Sequence, residues 1–88
     1  MKQQLSIKIG NWDVSVVTDM NNMFFRAISF NQEISNWDVS NVIDMSFMFV
    51  GTDVFNQDLS NLNVSNVISH VYFDYDTNNW VLPKPIFL

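Results

Sequence analysis

The sequence predicts an α/β repeat solenoid, with one strand and one short helix in each 25-residue repeat. Two observations lead there. Fourteen of the 25 residues in Asn11 to Ser35 recur unchanged and in register in Asn36 to Ser60, and a weakened third copy runs from Asn61 to Pro85. Within each copy the spacing of apolar residues changes from two to between three and four, a switch from strand period to helix period. A repeat of roughly 20 to 50 residues is a supersecondary unit that cannot cover its own apolar face, so the copies are expected to stack over one continuous core.

Alignment of the copies gives the expected core as rows of similar side chains: Trp12, Trp37, Leu62; Val14, Val39, Val64; Val17, Val42, Val67; Met20, Met45, His70; Met23, Met48, Phe73; Phe24, Phe49, Asp74; Phe30, Phe55, Trp80; Ile34, Leu59. Leu5 and Ile9 fall at the positions of Phe30 and Ile34, so residues 5–10 are expected to be the tail of a partial repeat. The chain is thus divided as a single domain, 1–88, with a partial repeat (5–10), repeat 1 (11–35), repeat 2 (36–60) and a degenerate capping repeat (61–85).

In the second copy Trp37-Asp38-Val39 alternates apolar and polar, the pattern of a short strand with one buried face. Val42, Ile43, Met45, Met48 and Phe49 follow at spacings near three and four, which predicts one face of a helix of about two turns. Ser40-Asn41 stands before that face with Asp44 three residues on, a pattern expected of an N-cap followed by a first-turn acid; Asp19 is its counterpart in the first copy. Gly51-Thr52-Asp53, and Arg26-Ala27-Ile28 in the first copy, are expected to lead into a return loop that Phe55 or Phe30 pins to the core. The third copy turns polar through Ser69 to Asn79 and ends in Trp80 to Leu88 with Pro83 and Pro85, as a terminal cap facing water would.

Composition narrows the function classes. The chain is 48% hydrophobic and only 15% charged, which argues against disorder. Its basic residues are Lys2, Lys8, Arg26 and Lys84, set against nine acidic ones for a net charge of −5; phosphate neutralisation needs a clustered Lys/Arg patch, so nucleic acid is not an expected partner. Without cysteine there is no thiolate chemistry, Cys-based zinc site or lipidated cysteine. Residues 1–10 lack the apolar run of about 7 to 15 residues that marks a secretory signal, and no stretch approaches the roughly 18 apolar residues of a membrane span.

The run Asn36-Trp37-Asp38-Val39-Ser40-Asn41-Val42-Ile43-Asp44-Met45-Ser46-Phe47-Met48-Phe49, followed by Phe55-Asn56-Gln57-Asp58-Leu59-Ser60, resembles the repeat of BspA-like leucine-rich-repeat surface proteins. The resemblance covers nearly all of residues 5–82. It implies a leucine-rich-repeat type of solenoid and a module for adhesion or protein–protein recognition, at a cell surface or secreted, in a family that includes lipoproteins. It implies no catalytic activity in the repeat itself; the residues themselves lead to no expected cofactor and no expected metal site. The chain departs from that family in having few copies and no signal peptide or lipid anchor, so a second expectation is a C-terminal fragment of a longer array. Such a fragment would play a structural role or self-associate through its N-terminal edge at Leu5 to Ile9.

Asp13, Asp38 and Asn63 lie between the inward residues of each expected strand and should form an outward polar row. With Trp12 they are the candidate partner-binding face, Trp12, Asp13, Asp38 and Asn63, on the strand side where the resemblance places partners. Carboxylates in a row also suit calcium weakly, against an ordinary reading as solvated strand residues. Asn31-Gln32 and Asn56-Gln57 repeat after the anchoring phenylalanine and are expected to satisfy loop backbone groups. His70, the sole histidine, is expected to be structural, and Ser15, Ser40 and Ser65 lack the G-x-S-x-G setting of a nucleophile. No acid/base pair or nucleophile arrangement is recognisable, so an enzyme is not expected.

Overall fold

A computed structural model describes residues 7–88. Ile9 falls within it and is buried, whereas Leu5, the other half of the expected partial repeat, lies outside the described residues. The copies stack, but not as strands and helices. Among the described residues there is no α-helix and no β-strand; the regular structure is one 3-10 helix, Ile9–Asn11, and two isolated parallel bridges, Asp19 with Asp44 and Asp44 with Ser69. The strand-and-helix solenoid expected from the spacing, and implied by the leucine-rich-repeat resemblance, is therefore not the fold; the chain is mostly turns and irregular backbone.

The reason lies in the backbone dihedrals. An α-helix needs every φ near −60°, yet Asn22, Phe47 and Tyr72, one in each copy, have φ of 61°, 58° and 53°, and Arg26, Gly51 and Asp76 have φ of 58°, 73° and 61°. A left-handed residue every fourth position breaks any i to i−4 ladder. The segment folds instead as successive three-residue turns, in which Met23 N–H donates to Met20 O, Phe25 to Asn22 O and Ala27 to Phe24 O. Such turns bring side chains to the inside at spacings of three to four, as a helix would, so the apolar pattern alone does not distinguish them.

The strand fails for a different reason. Val39 accepts a turn bond from Val42 N–H at 2.9 Å, and Val14 and Val64 accept the same bond from Val17 and Val67 at 3.0 Å. The chain bends too soon after Trp37 for an extended run to form. Nor do Ser40-Asn41 cap a helix: the Asn41 amide donates to Ser15 O of the preceding copy at 2.8 Å, and Asn66 repeats this on Ser40 O.

Alternate N–H groups of each copy, freed from a helical ladder, point to the next copy. Met20, Asn22, Phe24 and Arg26 donate to Asp44, Ser46, Met48 and Val50 O at 2.9, 3.1, 2.9 and 2.7 Å. Met45, Phe47, Phe49 and Gly51 repeat the pattern on Ser69, Val71, Phe73 and Tyr75 O at 2.8, 3.0, 3.0 and 3.2 Å. Backbone polar groups that face the neighbouring copy are thereby paired, as burial requires.

Inside this frame runs one core. Val39, Val42, Met45, Met48, Phe49, Phe55 and Leu59 of the middle copy are essentially inaccessible, because a copy covers each side. Phe49 meets the Phe24 ring at 5.4 Å and the Phe73 ring at 5.3 Å, and Phe55 lies between Phe30 at 5.5 Å and Trp80 at 4.8 Å. Thr52, buried in the same layer, returns its hydroxyl to Phe49 O at 2.7 Å, and the Ser46 hydroxyl bonds that of Ser69 at 2.6 Å. Residue Ile43, expected on the inward face, is pushed out by its buried neighbour Val42.

Candidate interaction surface

Asp13, Asp38 and Asn63 are exposed, but not as alternating strand residues. Each closes a turn onto a serine two positions on. Asp13 Oδ1 accepts the Ser15 N–H at 3.0 Å and its hydroxyl at 2.6 Å; Asp38 does the same with Ser40, with its N–H at 3.0 Å; Asn63 Oδ1 accepts the Ser65 N–H at 3.1 Å. This is the Asx turn that short polar side chains form with their own backbone. The Ser15 and Ser40 hydroxyls are therefore donors within turns. Asp58 with Ser60 repeats the device at the end of the second copy, and Asp19 and Asp44 accept the N–H groups of Asn21 and Ser46 at 2.8 Å, closing turns where a helix start was expected.

Hydrogen bonding to the charged form favours it. The Ser15 hydroxyl, then its N–H, hold the Asp13 carboxyl below its ordinary value, and the Ser60 hydroxyl and N–H do so for Asp58. Ser40 acts likewise on Asp38, opposed by slight desolvation and by the negative charge of Asp13, so the two carboxylates stand near one another in successive copies. At Asp44 the Ser46 N–H contributes most, with a smaller lowering contribution from Asn21. Among the described residues no group of three or more His, Cys, Asp or Glu is placed to hold a metal ion.

Trp12, placed by the sequence both in the core grid and on the binding face, is 52% exposed, whereas Trp37 one copy on is 4% exposed. Trp37 is covered on the side of Ile9, whose carbonyl accepts its indole N–H at 3.0 Å. Beside the serine turns lies a feature absent from the sequence reading: a shallow groove of about 520 Å³ lined by Val16, Thr18, Asn41, Ile43, Asn66 and Ile68, crossing all three copies. Val16, Ile43 and Ile68 are 84, 43 and 82% exposed. The available signal was register: positions 18, 43 and 68 directly follow the inward valines, so a tight turn turns them outward. Asn41, which lines the groove, is anchored on Ser15 O, in the turn that Asp13 closes.

The recurring Asn-Gln pairs face neighbouring backbone. Asn31 Oδ1 accepts the Asn56 N–H at 2.8 Å, Asn56 Oδ1 accepts those of Val81 and Leu82 at 2.9 and 3.0 Å, and Gln32 binds Ile9 N–H and Ile7 O at 2.9 and 2.7 Å. His70 stacks face to face on Phe87 at 4.1 Å. No helix among the described residues is long and apolar enough to cross a membrane.

Taken together, cross-copy backbone bonds, one shared core and turn-forming polar positions in every copy define a repeat protein of stacked turns. The family described as "Mycoplasma protein of unknown function, DUF285" matches residues 1–83. The chain belongs to that family. No curated protein and no solved structure matches it.

Proposed function

We propose that the chain is a noncatalytic protein–protein interaction or adhesion module, and that the groove over Val16, Ile43 and Ile68 is where a protein partner docks. One observation carries this reading: apolar side chains stand exposed next to one another across three copies. Contiguous exposed apolar surface on a folded chain marks interaction sites, whereas singly scattered apolar residues do not. Charge gives the partner a character. The net charge is −5, and Asp13, Asp38 and Asp44 are held ionised by hydrogen bonds in the turns beside the groove. A partner segment with apolar side chains flanked by Lys or Arg complements such a surface. The likeness of the repeat to BspA-like surface proteins supports the same class of role, and with it a location at a cell surface or outside the cell.

Selection of displayed peptides on the intact chain tests the proposal. Peptides that are enriched should carry apolar and basic residues and bind a Val16→Asp/Ile68→Asp variant at least about tenfold more weakly. The variant should melt with the wild type, since both positions are exposed. Selection that yields no binder, or binders indifferent to the double substitution, would sink the proposal.

A further inference from the structure

The outward side of the stacked turns carries aromatic side chains that the core does not use. One column of the stack holds Asn22, Phe47 and Tyr72, all with left-handed φ, and the column three residues on holds Phe25, Val50 and Tyr75. In each copy a turn joins the two columns, Phe25, Val50 and Tyr75 donating their N–H groups to Asn22, Phe47 and Tyr72 O. In the third copy the Tyr72 ring meets Tyr75 edge-on at 5.2 Å, and it lies tilted against Phe47 of the second copy at 5.7 Å. Tyr72 and Tyr75 are 57 and 60% exposed. Outward placement belongs to the position and not to the end of the stack: Phe47, with a copy on each side, is still partly exposed, whereas its neighbours Met48 and Phe49 are buried.

A bulky aromatic residue is uncommon at positive φ, where Asn is favoured, and Asn22 shows that the turn forms without a ring. Tyr72, more than half exposed, adds little to the core, so its use lies at the surface. The first copy shows what such a surface attracts. Arg26 holds its guanidinium carbon over the Phe25 ring, 5.9 Å from the centroid. The corresponding pair in the third copy is Tyr75-Asp76. Arg26 and Asp76 have nearly the same φ, 58° and 61°, so their side chains leave the backbone alike, and a carboxylate stands where the first copy has its own cation. Lys84, the basic residue of the third copy, is engaged elsewhere, by Asp74 at 3.0 Å and over the Trp80 ring at 5.2 Å.

We infer that Tyr72, Tyr75 and Asp76 form a binding site for an arginine side chain of a protein partner. Charge complementarity selects a cation: the ring faces are electron-rich, Asp76 is an exposed carboxylate, and the chain carries a net charge of −5. The exposed carboxylate beside the rings then selects guanidinium among cations. A guanidinium is planar, stacks on aromatic faces and offers a carboxylate two parallel N–H donors. A lysine ammonium is a strongly hydrated point charge, and a quaternary ammonium has no N–H to donate. The site shares no residue with the groove, so neither docking depends on the other.

The probe is the blocked tripeptide acetyl-Gly-Arg-Gly-amide, titrated into the intact chain at low salt and followed by amide and aromatic-ring chemical shifts. Saturable shifts are expected at Tyr72, Tyr75 and Asp76, with a Kd on the order of 1 mM. The citrulline analogue, nearly the same in shape but uncharged, should bind at least about tenfold more weakly, and the lysine analogue and tetramethylammonium at least about threefold. Asp76→Asn, a residue type that the left-handed backbone accepts, should weaken binding about tenfold. Tyr75→Leu, which keeps an apolar side chain but no ring, should weaken it at least about threefold. Both substitutions alter exposed side chains, so the melts should match wild type. The inference is overturned by absence of saturable shifts up to about 20 mM peptide, by equal binding of the citrulline or lysine analogue or of tetramethylammonium, by either variant binding as wild type does, or by shifts at Val16, Ile43 and Ile68 in place of the tyrosines.

Discussion

Replacing Phe49 by alanine should cost about 3 to 5 kcal/mol of stability, measured as a fall in the urea midpoint at constant slope. The ring is fully buried and meets aromatic rings of all three copies: Phe24 at 5.4 Å, Phe55 at 4.5 Å, Phe73 at 5.3 Å and Trp80 at 5.1 Å. Such contacts add to burial, and the hole left by truncation cannot collapse while cross-copy bonds fix the layer spacing. At roughly 0.05 to 0.15 kcal/mol per residue a chain of this size has about 4 to 13 kcal/mol in all, so the loss is a large fraction of its total stability. Phe25, at the neighbouring position but exposed, provides the comparison. Equal midpoints for Phe49→Ala and Phe25→Ala would contradict the packing.

Trp37→Ala should lose a similar amount, about 3 to 5 kcal/mol, while Trp12→Ala at the same repeat position should stay within about 0.5 kcal/mol of wild type. Trp37 is buried and its indole N–H ties the second copy to the Ile9 carbonyl at 3.0 Å, a bond between residues far apart in sequence. Trp12 is half exposed. Paired chemical denaturation of the two variants checks the contrast. Comparable losses at both positions would contradict the difference in burial between Trp12 and Trp37.

The period and the inward rows were legible in the sequence, because burial acts on side-chain identity and the copies repeat it. Val14, Val39 and Val64 are all buried, as are Met20 and Met45. The backbone path was not legible. Three-residue turns and an α-helix place inward side chains at nearly the same spacing, so Val42 to Phe49 satisfied a helix pattern that the dihedrals refuse. Gly51 is a residue type that favours positive φ, and Asn22 and Asp76 tolerate it; Phe47 and Tyr72 give no such hint. Their left-handed conformation costs on the order of 1 kcal/mol each and is held by the cross-copy bonds of the same segment, a tertiary cause that a single copy does not reveal.

The site followed the same division. Asp13, Asp38 and Asn63 are outward and in a row, but their chemistry was hidden in the serine two residues later, which turns each into the closing atom of a turn. The groove is not legible in the sequence because the apolar spacing places Ile43 on the inward face, and its exposure depends on a turn where that spacing predicts a helix.

Scalar couplings across hydrogen bonds, measured on isotope-labelled protein, bear most directly on the claim that copies are joined by alternate N–H groups in stacked turns. The expected pattern couples the amides of Met45, Phe47 and Phe49 to the carbonyls of Ser69, Val71 and Phe73. Coupling of the Phe49 amide to the Met45 carbonyl, with the rest of the segment paired four residues back, would instead establish a helix and contradict the stacked-turn fold.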